Sequence, residues 1–173
     1  MVKILTVTYT FLLAIYFQGG GFLENDAPVT YSRKVEENTG LAVAISYLVF
    51  QIVRNVIVTQ LKHRWLALLF VWVLFGGYVG ILYYPTRFEK AHFFYSTNAF
   101  VASFLLTLLL RWERKTGIVE TLVQIILFVF LVVAYFSLKK WMGLAEFLYI
   151  IFTVGLWNAC AQKPVSWREI FLN

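Results

Sequence analysis

Two titratable side chains, His92 and Glu146, are the strongest candidates for chemistry in this sequence. Each stands at or near the start of a long apolar segment, where polar groups are costly in hydrocarbon and usually face other helices. A histidine that is oriented by a carboxylate can act as a general base or acid. The pair therefore suggests proton transfer in a lipid-modifying reaction, and a purely structural hydrogen bond between helices is the alternative.

A second set of polar residues lies toward the opposite ends of the apolar segments and is predicted to form a buried polar network. Its members are Gln51, Arg54, Asn55, Glu120 and Asn158. Pairing of Arg54 with Glu120 would offset the cost of an ion inside a membrane, about 2.5–3.5 kcal/mol at mid-depth. Snorkelling of both side chains to the headgroups is one alternative. The lining of a small channel or a proton-coupled carrier is another.

Four further residues are candidates for contact with lipid or with a partner: Gly76, Gly80, Ser96 and Trp141. The Gly76-x-x-x-Gly80 spacing predicts a groove in which a second helix or a lipid chain approaches the backbone closely. Ser96 belongs to a stripe of small and polar residues on its helix. Trp141 stands at a predicted helix end, as Trp157 does, and there indole rings favour the headgroup layer.

No recognisable metal or cofactor site accompanies these candidates. The two histidines, His63 and His92, are predicted on opposite faces of the membrane, and a zinc hydrolase site needs about three converging ligands. The sequence contains no phosphate-binding loop, dinucleotide fingerprint or nucleophile elbow. The single cysteine, Cys160, excludes an internal disulfide. We expect no cofactor and no metal.

The segments that position these residues are too apolar for a soluble protein of 173 residues. Of the chain, 61% is hydrophobic and only 14% is charged, against about 25% charged in soluble domains. A bilayer core needs about 20 apolar residues for each helix. The sequence predicts one all-α transmembrane domain over residues 1–173, with an outer loop at 24–40 and spans at 4–23, 41–60, 65–84, 92–110, 118–138 and 142–160. We expect the first span to be a retained helix and not a cleaved signal peptide.

The basic residues predict the orientation of these six spans. With the N-terminus in the cytosol, nine of the 15 Lys and Arg residues fall on the cytosolic side, as the positive-inside rule requires. Both termini are then cytosolic. The net charge of +6 is explained by a basic rim that faces anionic lipid. We therefore expect membrane lipids and other membrane subunits as partners, and no nucleic acid.

Three short segments carry a further pattern. They are 27–32 (Ala-Pro-Val-Thr-Tyr-Ser) in the outer loop, 88–92 (Phe-Glu-Lys-Ala-His) at the fourth span and 145–147 (Ala-Glu-Phe) in the sixth. With six spans and the largest loop after the first, the chain resembles the damage-regulated autophagy modulator (DRAM) family, although the Pro-Glu step before the second helix is missing. The resemblance implies cytosolic termini and relatives that act in GPI-anchor lipid remodelling or as kinase scaffolds. It implies no agreed catalytic mechanism.

Three functions are compatible with these patterns. The first is a non-catalytic, multi-pass membrane protein that organises lipid or protein partners, alone or as a subunit of a larger complex. This is the expectation, because no nucleophile–base constellation is recognisable in the sequence. The second is a lipid-modifying enzyme that uses His92 and Glu146. The third is a small channel or a proton-coupled carrier. The sequence does not indicate the organelle.

Overall fold

The computed structural model describes residues 23–24, 27–28, 61–84 and 88–160, together with the single positions 40, 43, 44, 46, 47, 50, 51, 53 and 54. Four α-helices dominate these residues: α1 (Arg64–Tyr83), α2 (Glu89–Trp112), α3 (Ile118–Phe136) and α4 (Met142–Cys160). A 3-10 turn, Lys139–Trp141, leads into α4. The strands β1 (Leu23–Glu24) and β2 (Ala27–Pro28) form a short antiparallel pair. The single positions between 40 and 54 are helical.

The helices confirm the predicted all-helical fold, and they coincide with the last four predicted spans. Each is long and apolar enough to cross a membrane, where a helix satisfies its backbone hydrogen bonds internally. The predicted first span lies outside the described residues except for Leu23, which is part of β1 and not of a helix. Gly40, the last residue of the predicted outer loop, is already helical. Six spans and cytosolic termini stay predictions.

The ends of the helices meet in two groups. The Glu113 end comprises residues 61–64, residues 111–117 and Cys160. Its segments are joined by hydrogen bonds from the Lys62 and His63 amides to Glu113, and from Cys160 Sγ to the carbonyl of Lys115. The Tyr84 end comprises Tyr84, residues 88–92 and residues 137–141. There β2 contacts the 3-10 turn, so two segments that the sequence predicts on the outer side share one end of the bundle.

The bundle buries several hydrogen-bonding side chains within an otherwise apolar core and exposes many large apolar ones. Hydrogen-bonding side chains on α2, α3 and α4 are buried, among them Thr107, Gln124 and Thr153. Large apolar side chains are exposed along the same helices, including Ile126 and Phe136 on α3. Such an exterior is expected where hydrocarbon is the solvent, because exposed apolar surface then costs nothing.

Candidate functional site

A hydrogen-bonded polar core ties α2, α3 and α4 together. We define the polar core as Ser103, Thr107, Gln124, Tyr149, Thr153 and Trp157, all of which are buried. Positions 103 and 107 lie one turn apart on α2, and positions 149, 153 and 157 lie one turn apart on α4. The i, i+4 spacing therefore turns these side chains toward one another along the α2–α4 contact.

Tyr149 is at the centre of the polar core. Ser103 Oγ donates to the carbonyl oxygen of Phe100 at 2.7 Å. The hydroxyl of Tyr149 lies 2.9 Å from Ser103 Oγ and donates to the same carbonyl at 3.2 Å. The ring of Tyr149 packs edge-on against the ring of Phe100, with centroids 5.5 Å apart. Tyr149 therefore joins α4 to α2 through both its ring and its hydroxyl.

Gln124 attaches α3 to this centre. Its Nε2 donates to Thr153 Oγ1 at 2.6 Å, and that hydroxyl donates to the carbonyl of Tyr149 at 2.7 Å. Gln124 is fully buried, and its Oε1 has no hydrogen-bond partner. An unpaired amide oxygen in a buried site is costly. Of the two polar groups of the Gln124 amide, only the nitrogen therefore forms a hydrogen bond.

Trp157 extends the polar core toward the Glu113 end. Its Nε1 donates to Thr107 Oγ1 at 3.2 Å, and Thr107 Oγ1 donates to the carbonyl of Ser103 at 3.1 Å. The prediction that Trp157 anchors the protein in the headgroup layer is wrong, because the side chain is 1% exposed. Its N–H finds a partner on α2, as buried tryptophans usually require.

Two small cavities adjoin the polar core. One, of about 10 Å³, is lined by Ser96 and Glu146, and the other, of about 20 Å³, by Ser103, Tyr149 and Thr153. Both are also lined by four residues of α1, α2 and α4, so they are neighbours: Tyr78, Ala99, Phe100 and Ile150. Each has room for about one water molecule at most.

The two candidate catalytic residues lie at the Tyr84 end. Nδ1 of His92 is 2.8 Å from the carbonyl oxygen of Tyr84. Because a carbonyl only accepts, this contact assigns the proton to Nδ1 and leaves Nε2 for any second partner. Glu146 is buried and shares its cavity with Ser96, one turn along α2 from His92. A hydrogen bond between His92 and Glu146 would have to use Nε2, and it stays a prediction.

The predicted network of Gln51, Arg54, Asn55, Glu120 and Asn158 is described in part. Gln51 and Asn158 are buried, and Oε1 of Gln51 has no hydrogen-bond partner. Arg54 is half-buried, and Glu120 is exposed in the first turn of α3. The carboxylate of Glu120 folds back against Gly117. Asn55 lies outside the described residues, and pairing of Arg54 with Glu120 stays a prediction.

The glycine groove on α1 is rotated by one residue from the predicted one. A β-carbon on Gly77 would lie 2.8 Å from both the Ala99 β-carbon and the Tyr95 carbonyl oxygen, and one on Gly80 would overlap the Tyr95 ring. Gly76 has open space around it. Gly77 and Gly80 therefore allow α2 to pack closely against α1, whereas Gly76 belongs to the outer surface.

The remaining contact candidate, Trp141, lies at the Tyr84 end. It is exposed, and Nζ of Lys140 lies 5.7 Å from the centroid of its ring. An exposed indole at the end of an apolar helix is typical of the headgroup layer. The predicted contact of Trp141 with lipid agrees with this placement and stays a prediction.

A carboxylate clamp that sequence reasoning missed closes the Glu113 end. The carboxylate of Glu113 accepts hydrogen bonds from the backbone amides of Lys62 (2.7 Å) and His63 (2.9 Å), and His63 Nδ1 lies 2.8 Å from it. The side chain of Glu113 is 3% exposed. Desolvation alone would raise the pKa of Glu113, but the hydrogen bonds from His63 and Lys62 outweigh it and lower the pKa below 4.5.

The described residues contain no group of three His, Cys, Asp or Glu side chains that could hold a metal ion. No protein-family model matches the sequence, and neither a curated protein nor a solved structure is similar to it. The arguments for function therefore rest on the residues and contacts described above.

Proposed function

We propose that this chain is a non-catalytic, multi-pass membrane protein that organises lipid or protein partners, alone or as a subunit of a larger membrane complex. The observation that carries the proposal is the apolar exterior of the four helices, combined with the polar core inside them. Several hydrogen-bonding side chains contact one another in the interior, while many large apolar side chains are exposed on the outside. The outer surface is therefore where this protein meets its partners.

The polar core supports a structural role for the interior. Six side chains from three helices hydrogen-bond to one another or to nearby carbonyls, which fixes the helices at defined distances. Such contacts contribute on average about 0.6 kcal/mol each in a membrane protein. The adjoining cavities, of about 10 and 20 Å³, are far smaller than a lipid headgroup. A rigid bundle with a crowded interior suits a scaffold.

Purification of the tagged protein at native expression level, in a mild detergent, tests this proposal. We expect one protein partner or a defined set of lipids to remain bound at a fixed stoichiometry. The matched control is an unrelated helical membrane protein with the same tag, purified in the same detergent. A protein that is isolated as a stable monomer with no retained lipid and no partner would refute the proposal.

A lipid-modifying enzyme is the second candidate, and the geometry at His92 favours it. The Tyr84 carbonyl fixes the Nδ1–H tautomer, which leaves Nε2 as a base. Ser96, one turn along α2 from His92, lines the same cavity as the buried Glu146. His92→Gln removes the base but can preserve the contact with Tyr84. Altered cellular lipid profiles in H92Q, with normal protein abundance, would support the enzyme, and unchanged profiles would exclude it.

A further inference from the structure

The Glu113 end presents a cluster of basic side chains that the polar core does not use. Lys62 and Arg64 precede or begin α1, and Arg114 follows α2; all three are exposed. We call these three residues the basic corner. The Glu113 clamp brings them together, because the Lys62 amide binds the carboxylate of the residue that directly precedes Arg114. Two segments that are 50 residues apart in sequence thus form one surface.

The clamp also encloses the carboxylate that is nearest to this surface. The side chain of Glu113 is 3% exposed, and three N–H groups from Lys62 and His63 surround its carboxylate. An anion enclosed by donors in this way is compensated locally. The carboxylate keeps its negative charge but is turned away from the solvent, whereas the three cations of the basic corner are exposed.

Arg114 occupies a backbone position that normally favours glycine. α2 ends in a Schellman motif, in which the Lys115 amide donates to the Leu110 carbonyl at 2.8 Å and the Arg114 amide donates to the Arg111 carbonyl at 2.9 Å. Arg114 has a φ of 58° and is the one non-glycine residue with positive φ in the described part of the chain. Side chains are disfavoured in this left-handed conformation. An arginine at such a site motivates a hypothesis of function for its side chain.

Two tryptophans indicate the depth of the basic corner. Trp65 follows Arg64 and is 71% exposed, and Trp112 lies two residues before Arg114 and is 80% exposed. Exposed indoles at the ends of apolar helices lie at the headgroup level of a bilayer. The basic corner is then beside the lipid phosphates and not in the bulk solution.

We propose that Lys62, Arg64 and Arg114 bind the headgroup of an anionic phospholipid. The charge of the corner complements the phosphate, and the flanking tryptophans contact the glycerol and upper acyl region of the same lipid. The predicted orientation puts this end at the cytosolic leaflet, which carries the anionic lipids. The inference rests on the proposed function and names a lipid class for it.

Lipid retention measured by native mass spectrometry tests this inference. The wild-type protein is released from nanodiscs that contain equal amounts of phosphatidylserine and phosphatidylcholine, and retained lipids are titrated to obtain a Kd. We expect preferential retention of phosphatidylserine. Each removed cation weakens this binding about five-fold, so Lys62→Gln combined with Arg64→Gln weakens it about 25-fold.

The decisive variant is Arg114→Gly, because it separates binding from folding. Glycine relieves the left-handed strain at this position, so we expect R114G to unfold at the same temperature as the wild type or a higher one. Its affinity for phosphatidylserine should nevertheless fall about five-fold. Lys90→Gln combined with Lys139→Gln removes two exposed cations at the Tyr84 end and serves as the control with unchanged affinity.

Three outcomes would overturn the inference. They are equal retention of the two lipids, an equal loss of affinity in the Lys90 and Lys139 control, and full displacement of phosphatidylserine by inorganic phosphate at the same concentration. The failure of the proposed function has a different signature. A protein that retains lipids without a preference for charge refutes only the inference, whereas one that retains neither lipids nor a protein partner refutes the proposed function.

Discussion

Alanine substitution at two adjacent glycines of α1 tests how closely the first two helices pack. Gly77→Ala places a methyl group 2.8 Å from the Tyr95 carbonyl oxygen and 2.9 Å from the Ala99 amide nitrogen. Both are backbone atoms of α2, so they cannot rotate away as a side chain could. Gly76→Ala places the same methyl group in open space.

The difference between the two variants isolates the packing contribution. Alanine has the higher helix propensity, by about 1 kcal/mol in water, and this gain cancels because both positions lie within the same helix. Overpacking of a tight contact costs about 1–3 kcal/mol. We therefore expect G77A to be less stable than G76A by about 1–3 kcal/mol.

Reversible unfolding in mixed micelles of a mild detergent and dodecyl sulfate measures this difference as a change in the free energy of unfolding. Circular dichroism follows the loss of helix, and G76A serves as the matched control. Equal stability of the two variants, or a larger loss in G76A, would refute the close approach of α1 and α2 at Gly77.

Three further predictions concern the clamp and the polar core. Because the hydrogen bonds of the clamp lower the folded-state pKa of Glu113, its contribution to stability is complete above pH 4.5 and is lost as the pH falls through the folded value. Glu113→Gln should therefore reduce the loss of thermal stability between pH 7 and pH 3. A loss as large as that of the wild type would contradict this prediction. Gln124→Met removes a buried, unpaired amide oxygen and leaves Thr153 bonded to the Tyr149 carbonyl. We therefore expect the free energy of unfolding to rise by about 1 kcal/mol. A fall of that size would show instead that Oε1 of Gln124 has a partner. Tyr149→Phe removes the hydroxyl but leaves Ser103 bonded to its own helix. We expect the free energy of unfolding to fall by about 0.6 kcal/mol, and a fall of more than about 2 kcal/mol would contradict an ordinary interhelical hydrogen bond.

The four helices were predictable because the length and the hydropathy of a segment determine whether it forms a membrane-spanning helix. The residues at which the helices end, and the rotation of each helix about its axis, were not predictable. α2 begins at Glu89, three residues before the predicted start, because its charged first turn extends beyond the apolar stretch on which the prediction was based. The spacing of Gly76 and Gly80 identifies a groove but not the direction in which it faces. Gly77 and Gly80, not Gly76, prove to be the glycines that meet α2. This depends on the rotation of α1 about its axis, which only the packing against α2 determines.

The functional contacts were less predictable for a related reason. Ser103, Gln124 and Thr153 are recognisable as polar residues within apolar segments, but which of them meet depends on the order of helices around the bundle. In the sequence, Tyr149 and Trp157 look like interface anchors or core residues. Their hydrogen bonds could not be predicted because the partners lie on another helix. The Glu113 clamp joins two loops that are 50 residues apart in sequence, and no local sequence pattern predicts such a contact.

The buried polar side chains of α4 have a consequence for biogenesis. α4 is the most enclosed by protein of the four helices, and Glu146 and Thr153 face its neighbours. A nascent α4 that entered lipid alone would expose these groups to acyl chains. Translation delivers α2 and α3 before α4, so α4 can leave the translocon directly against partners that already offer Gln124 and Thr107. A ribosome that stalls before α4 is complete would strand those two side chains in lipid and give quality-control factors a signal of incomplete assembly.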